Sequence, residues 1–312
     1  MSAALIRVGP IRRTPSLRTI HIVRTIDELR KHRLSLGSSK IGFVPTMGAL
    51  HDGHLSLARK AKIECDVVIA SIFVNPTQFS VGEDLDKYPR TFEKDLAMLD
   101  LTGVDLLFAP NLEEIYGKNV LCHVEPSDFS HISEGKARPD FFRGVATIVC
   151  KLFNMVTPTV SYFGQKDISQ CILVKRMVED LNMPVKIDIC ETLREADGLA
   201  MSSRNTYLSP SERSVAKILY KALNSAKLKF DNDIHSNTSR EDLSTVVYEI
   251  LKSEPMVTEV EYVSIASHVN MKELSVVDRG GGAVISSAIR IGSVRLIDNV
   301  LLGTAIKDIL GR

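Results

Sequence analysis

The sequence has no excess of charge of either sign. Its 39 basic residues are balanced by 38 acidic residues, which gives a formal net charge of +1. Proteins dedicated to nucleic acids or to membrane surfaces usually carry a basic excess. Neither nucleic acid nor a membrane is therefore an expected partner, and any anionic ligand must be bound by a local arrangement of residues.

Paired cysteines are also missing. The five cysteines are scattered along the chain, and no two of them are at CxxC spacing. Neither a disulfide framework nor a structural zinc site is indicated, so a reducing compartment, the cytoplasm, is expected. No apolar run has the length of a bilayer-spanning helix, and we expect a soluble protein.

Acidic residues are absent from the N-terminus, where the first is Asp27 and five arginines precede it. Such Arg-rich, acid-poor starts are typical of organelle transit peptides. Serine and threonine are sparse in this segment, which favours a disordered cytosolic extension over residues 1–21. Import into an organelle stays an open alternative.

The composition is that of a globular protein, with 44% hydrophobic and 25% charged residues. A length of 312 residues favours two domains. From Lys40 onwards short apolar runs alternate with helical patterns, which predicts βαβ units on a parallel sheet. Strands are predicted at residues 41–44, 67–74, 104–108, 160–163 and 185–190, and helices at 53–63, 92–103, 142–156 and up to about 181.

The pattern changes after Asn205. Ser209, Pro210 and Glu212 form the signature of a helix N-terminus with a capping box. Further on, a helix is predicted at residues 241–252 and strands at 257–266, 283–289 and 294–302. Helices followed by strands indicate a smaller α+β domain. The predicted division is an extension over residues 1–21, a Rossmann-like domain over 22–192 and a C-terminal domain over 193–312.

A His-Asp-Gly-His segment at residues 51–54 follows the first predicted strand and begins a predicted helix. Histidines three apart lie on one helix face, beside the free backbone N–H groups and the positive dipole end. Gly48 and Gly53 would let the backbone approach a bulky ligand, and imidazolium donors would stabilise a leaving pyrophosphate. An isolated HxGH string more often only caps a helix. Its strand–turn–helix context favours a polyphosphate site.

Two further segments carry cations that suit phosphate. Met201-Ser202-Ser203-Arg204 is a polar loop that could close over a ligand. Gly164-Gln165-Lys166-Asp167 follows a strand, and ligands in open α/β sheets bind at the carboxyl ends of strands. Lys166 is therefore placed for a phosphate, although a solvated surface lysine explains it equally well when viewed alone.

Uncharged amides follow another strand end. Asn75 and Gln78 lie within the string FVNPTQF, and Gln170 is in the first turn of a predicted helix. Such amides can bind a hydroxyl or a carboxylate without adding charge. The alternative at Asn75 and Gln78 is a plain turn around Pro76.

Taken together, the chain resembles the pantoate–β-alanine ligase family over residues 22–310. The strings PTMGALHDGH, FVNPTQF, DKYPR, FFRGVATIV, FGQKD, GLAMSSRN and RLIDN occur in that family's order and spacing. The family is related to class I aminoacyl-tRNA synthetases and nucleotidyltransferases, whose HxGH and KMSKS elements correspond to residues 51–54 and 201–204. Serines and an arginine stand where KMSKS has lysines, so Lys166 and Arg204 would share that electrostatic task.

The resemblance implies an ATP-dependent ligase that condenses pantoate with β-alanine through a pantoyl adenylate and releases AMP and pyrophosphate. It implies catalytic roles for His51, His54, Lys166 and Arg204, with His54 as the proton donor and His51 on the phosphates. It also implies a Rossmann-like parallel sheet of the HxGH nucleotidyltransferase type, and a homodimer. Mg²⁺ is expected on the phosphates of ATP, without a protein metal site.

The resemblance also assigns binding residues. Gln78 would contact pantoate and β-alanine, Gln170 would bind pantoate, and Asn75, Tyr88 and Arg143 would shape the pocket. The implied ATP-binding residues are Met47, Gly48, Ala49, Leu50, His51, Asp52, Gly53, His54, Gly164, Gln165, Lys166, Asp167, Leu193, Met201, Ser202, Ser203 and Arg204.

Two other functions compete with a ligase. A nucleotidyltransferase acting on a small phosphorylated acceptor would look the same at the HxGH turn, but the neutral amides suit a hydroxy acid better than a phosphate. An RNA-binding relative of the synthetases ranks last, because the chain has neither a basic excess nor a basic patch interleaved with aromatic residues.

Overall fold

The N-terminal part of the chain, up to Cys190, forms a six-stranded parallel sheet, in a computed structural model that describes residues 19–80, 82–233 and 237–303. The strands are β1 (His21–Val23), β2 (Ile41–Thr46), β3 (Val67–Ile72), β4 (Leu106–Phe108), β5 (Val160–Gly164) and β6 (Lys186–Cys190). Their order in the sheet is β1-β4-β3-β2-β5-β6.

Helices cover both faces of this sheet, so its central strands are buried on both sides. Successive residues point to opposite faces: Phe43 and Ile69 belong to one core, and Val44 and Val68 to the other. The helices are α1 (Ile26–Ser35), α2 (Asp52–Glu64), α3 (Phe92–Thr102), α4 (Leu112–Tyr116), α5 (Ser133–Ala137), α6 (Phe141–Val156) and α7 (Ile168–Asp180).

The C-terminal part is built around a three-stranded antiparallel sheet. Its elements are α8 (Pro210–Val215), α9 (Ile218–Asn232), β7 (Asn237–Ser239), α10 (Arg240–Lys252), β8 (Val257–Ser267), β9 (Val276–Asp278), β10 (Ala283–Ile291) and β11 (Val294–Leu302). The sheet has the order β11-β10-β8, and β7 pairs with β9 in a two-stranded sheet. Helices α9 and α10 pack on the three-stranded sheet through a core that is separate from those of the six-stranded sheet.

The predicted fold class is confirmed, and so is the capping box at α8, where the Ser209 side chain accepts from Glu212 N–H. The sequence patterns missed β1, α1 and α9. Helix α1 is polar and buries only Leu29, so it has no apolar stripe to recognise. Helix α9 does bury residues at helical spacing, such as Leu219 and Leu223, and its stripe follows directly on α8.

The predicted extension over residues 1–21 is partly corrected. His21 begins β1, and the buried Ile20 donates its N–H to Asp100 Oδ1 at 2.8 Å, so the folded part begins before Ile22. Residues 1–18, with their arginines, lie outside the described residues. The predicted boundary at residues 192 and 193 stays a prediction. No helix in the described part of the chain is long and apolar enough to cross a membrane.

Candidate active site

The two histidines cap the N-terminus of α2 reciprocally. His51 is the N-cap residue, and its Nδ1 accepts from Gly53 N–H at 3.1 Å. His54 Nδ1 accepts from His51 N–H at 3.4 Å. The ring centroids are 4.1 Å apart, so the rings share one face as predicted. Because each Nδ1 is an acceptor, the proton of each neutral ring is on Nε2.

The expected imidazolium pair is therefore corrected to a neutral pair. Burial, together with the nearby charge of Lys166, lowers the pKa of His51 to about 4. Burial, followed by His51 and Lys166, lowers the pKa of His54 to about 3. The backbone N–H groups of Gly53 and His54 are not free either, because His51 Nδ1 and the His51 carbonyl accept from them.

Gly48 and Gly53 were expected to let the backbone approach a ligand, but the structure shows other reasons for glycine at these positions. A Cβ on Gly53 would lie 2.8 Å from the His51 ring, so this glycine makes room for the capping imidazole. Gly48 adopts a φ of +83° and Ala49 a φ of +51°, in the left-handed region. The strained loop is tied to α3, since both oxygens of buried Asp95 accept backbone N–H groups, from Ala49 and Leu50, at 2.8 Å.

Lys166 lies in a 3₁₀ turn (Gln165–Asp167) between β5 and α7, at the carboxyl edge of the sheet. Its Nζ is 3.4 Å from Asp167 Oδ2. Burial alone would raise the pKa of Asp167, but the charges of Lys166 and Arg204 outweigh it and the pKa is lowered. Gln170 follows on the first turn of α7, near this turn.

The Ser202–Arg204 segment closes onto the histidine loop. Ser203 Oγ donates to the Ala49 carbonyl at 2.9 Å, and Ser202 caps the turn by accepting from Arg204 N–H. Arg204 forms a two-pronged ion pair with Asp84, at 2.8 and 2.9 Å. Burial would raise the pKa of Asp84, but this pairing lowers it. Arg204 thus faces the cavity while it is held by an internal carboxylate.

The amides form a fixed network around Gln78. Buried Asn75 donates from Nδ2 to Gln78 Oε1 at 3.0 Å and to the Gly144 carbonyl at 3.2 Å. Its Oδ1 accepts from Tyr116 and Thr77 hydroxyls. Because Gln78 Oε1 is engaged, its Nε2 group is the side that can donate to a ligand. Asn75 acts on the site by orienting Gln78.

One cavity brings most of the predicted residues together at the carboxyl edge of the sheet. From the predicted sets, it is lined by Met47, His51, Gly53, His54, Asn75, Gln78, Tyr88, Gly164, Lys166, Asp167, Gln170, Leu193, Met201, Ser202, Ser203 and Arg204.

Six predicted residues are not among those lining the cavity. Gly48, Ala49 and Leu50 belong to the loop that supports it, and Gln165 is turned to Asn299, 3.0 Å away. Asp52 is exposed near Arg59. Arg143 is exposed and pairs loosely with Glu125 and Asp140, so the structure does not bring it into the pocket.

The sequence patterns missed residues whose partners are distant in the chain. Arg138, not Arg143, lines the cavity, and it pairs with Glu83 at 2.8 Å and donates to the Gln78 carbonyl. Asp84 and Asp95 were also missed. The string DKYPR lay beside Asp84, but nothing in the sequence indicated which cation it pairs with.

Known proteins similar to this chain share its fold and most of its length. The family model for pantoate–beta-alanine ligase matches residues 21–301. The pantothenate synthetase of Chloroflexus aggregans is 48% identical over 283 residues, 91% of this chain and 100% of that protein. The one from Thermodesulfovibrio yellowstonii is 46% identical over 286 residues, 92% of this chain and 100% of that protein.

Solved structures of the same family also superpose on this chain. The pantothenate synthetase of Thermus thermophilus superposes with a TM-score of 0.83 at 42% identity, covering 90% of this chain and 99% of its own. The pantoate–beta-alanine ligase of Francisella tularensis, solved with beta-gamma ATP and beta-alanine, superposes with a TM-score of 0.73 at 38% identity, covering 90% and 97%.

Proposed function

The chain belongs to the pantoate–beta-alanine ligase family, and from that membership and the pocket we infer that it joins pantoate to β-alanine with ATP. The observation that carries this inference is that one cavity holds both kinds of group the reaction needs. His51, His54 and Lys166 offer donors for phosphate, and Gln78 and Gln170 offer uncharged polar groups for a hydroxy acid.

The reaction has two steps. A carboxylate oxygen of pantoate attacks the α-phosphorus of ATP, and pyrophosphate leaves with the electron pair of the broken P–O bond. The amine of β-alanine then attacks the activated carbonyl, AMP leaves, and the amine nitrogen loses a proton. Catalysis would rest on positioning and on stabilising charge at the phosphorus and the leaving group.

On the phosphate side, His51 and His54 would donate from Nε2 as neutral groups, and Lys166 and Arg204 would supply positive charge. This modifies the proton-donor role expected for His54, because a ring with a pKa of about 3 is uncharged at neutral pH and donates a hydrogen bond from the proton on Nε2. Met47, Gly164, Asp167, Leu193 and Met201 would border the nucleotide.

On the acceptor side, Gln78 would donate to pantoate and β-alanine from Nε2, since Asn75 holds its Oε1. Gln170 would bind pantoate from α7, and Tyr88 would border the pocket. No charged group is needed to bind the hydroxyl of pantoate, which distinguishes this site from one built for a phosphorylated acceptor.

Magnesium would enter as part of the substrate MgATP. The described residues contain no cluster of three or more His, Cys, Asp or Glu side chains that could hold a metal ion. Hard cations such as Mg²⁺ are commonly bound by substrate phosphates and water with few protein ligands.

Product analysis with ATP, pantoate and β-alanine, each omitted in turn, tests the function. AMP and pyrophosphate should form, and omission of pantoate should abolish pyrophosphate release. Formation of ADP would refute the inference. Trapping with hydroxylamine separates the alternatives, because an acyl adenylate gives a hydroxamate whereas a nucleotidyltransferase product does not.

The remaining properties follow from the family alone. We expect a homodimer, located in the cytoplasm. Light scattering after gel filtration tests the oligomeric state and should give twice the mass of one chain. Four of the five arginines that bear on import belong to residues 1–18, which lie outside the described residues.

A further inference from the structure

Asn299 in β11 connects the C-terminal sheet to the turn that carries Lys166. Its side chain is almost fully buried, 1% exposed. Its Nδ2 donates to the carbonyl oxygens of Gln165, at 2.8 Å, and Lys166, at 2.9 Å. Its Oδ1 accepts from Gln165 Nε2 at 3.0 Å. One amide therefore satisfies three polar groups of a turn that precedes it by more than 130 residues.

These bonds fix the backbone from which Lys166 projects. Buried carbonyl groups require donors, and Asn299 provides them for two successive residues of the 3₁₀ turn. Lys166 reaches the cavity that contains His51 and His54. Any shift of the turn would therefore move the Lys166 ammonium group relative to the histidines.

Asn299 is itself held by contacts on the side away from the turn. Its N–H donates to Asp298 Oδ1 at 2.8 Å. Asp298 forms a two-pronged pair with Arg194, at 2.6 and 3.0 Å, and the Arg194 guanidinium stacks over the Tyr220 ring at 3.6 Å. These contacts hold Asn299 in place, so its side-chain amide has little freedom to follow the 165–167 turn if that turn shifts.

We propose that Asn299 is a positioning residue for adenylate formation, acting through Lys166 by holding the two carbonyls of its turn. The proposal rests on the proposed function, because it assigns Lys166 to the phosphates of ATP. It gives the C-terminal sheet an indirect part in the first chemical step, through a residue that does not line the cavity.

The test is a double-mutant cycle on pantoate-dependent exchange of pyrophosphate into ATP. Asn299→Asp keeps the size of the side chain but turns a carboxylate oxygen towards two carbonyls. We expect roughly a 10²-fold loss of exchange, the scale of a small misplacement of a catalytic group. In a Lys166→Ala background the same change should cost little more, because the group it positions is gone.

Ser287→Ala is the matched control. Ser287 is fully buried on the neighbouring strand, opposite Asp298, and donates to the Tyr262 carbonyl, away from the turn. The Ser287→Ala variant should exchange pyrophosphate into ATP at the wild-type rate, although its melting temperature should be lower. Asn299→Ser, which keeps one donor, replaces the aspartate variant if that protein does not fold.

The outcomes are distinct. Wild-type exchange in a folded Asn299 variant, or losses that multiply in the double mutant, would overturn the proposal. Absence of exchange in the wild-type protein would instead refute the proposed function.

Discussion

In His51 and His54, the hydrogen bond made by one ring nitrogen determines whether the other ring nitrogen carries a proton. Each Nδ1 is used by a backbone N–H, so each Nε2 carries a proton and can donate to a phosphate oxygen. The rings therefore contribute directed donors without charge. The positive charge beside them comes from Lys166 and Arg204, which a buried pair of imidazoles could not supply at neutral pH.

We predict that His54→Ala lowers the turnover number by about 10²-fold or more, the usual cost of losing a donor to developing negative charge. His32→Ala is the matched control. His32 contacts His21 in a tilted arrangement with the same 4.1 Å centroid distance, but this second histidine pair lies at β1 and α1 and does not line the cavity. Steady-state kinetics measure both. Near-wild-type turnover in His54→Ala would refute the assigned role.

Asp84 accepts from Nε and Nη2 of Arg204, two of the nitrogens of its guanidinium, so this carboxylate would compete with the phosphates of ATP for the charge of Arg204. We predict that Asp84→Asn lowers KM for ATP and strengthens product inhibition by pyrophosphate. Asp86→Asn removes the same charge from the same loop without touching this ion pair and should change neither value. A higher KM in Asp84→Asn would mean that Asp84 orients Arg204 more than it competes with phosphate.

At the scale of elements, the histidine loop depends on a helix that contributes no residue to the chemistry. The loop enters the left-handed region at Gly48, which adopts it readily, and at Ala49, where it costs free energy. Asp95 in α3 offsets that cost by accepting the N–H groups of Ala49 and Leu50. The sheet brings the loop to the cavity, and α3 fixes its conformation.

Asp95→Asn should destabilise the fold by about 1–3 kcal/mol, because an amide group would then face a buried backbone N–H. It should also lower turnover, since the loop continues into His51. Asp100→Asn is the control on the same helix. Asp100 accepts one backbone N–H, from Ile20, through a single oxygen that asparagine retains. Urea unfolding and kinetics should separate the two variants, and equal effects would count against the anchoring role.

Sequence patterns predicted the elements whose signals are local. The apolar runs of β2, β3 and β5, the stripe of α6 and the capping box at Ser209 were all found. The strand–turn–helix context also located the HxGH turn. What could not be read were pairings set by tertiary structure, such as Arg204 with Asp84 and Asn299 with Gln165, because nothing in the chain says which distant groups will meet.

The protonation of the histidines is another property of the assembled molecule. Their low pKa values come first from burial, which needs α2, β5 and the 201–204 segment in place around them. The sequence showed two imidazoles at a helix N-terminus that suits phosphate, from which we expected imidazolium donors. Only the packed structure shows that the two rings themselves are uncharged.

The lowered pKa values of the two histidines should make stability depend on pH in a defined direction. A histidine in the unfolded chain has a pKa near 6.5, and the folded values are about 4 and 3. Below pH 6.5 the unfolded state therefore binds more protons than the native state. Stability should be fully present above that pH and should decline as pH falls towards 4, by at most about 1.4 kcal/mol per pH unit for each histidine.

His51→Asn isolates one of these contributions. Asparagine is a preferred N-cap residue and does not titrate, so it can retain the cap of α2 while removing the proton uptake of residue 51 in the unfolded chain. We predict that the melting temperature of His51→Asn falls less steeply than that of the wild type between pH 7.5 and pH 4.5. The two proteins should therefore be closer in stability at the acid end of that range. Parallel curves would show that His51 is protonated in the native state as readily as in the unfolded one, and the neutral-imidazole description of the site would then be wrong.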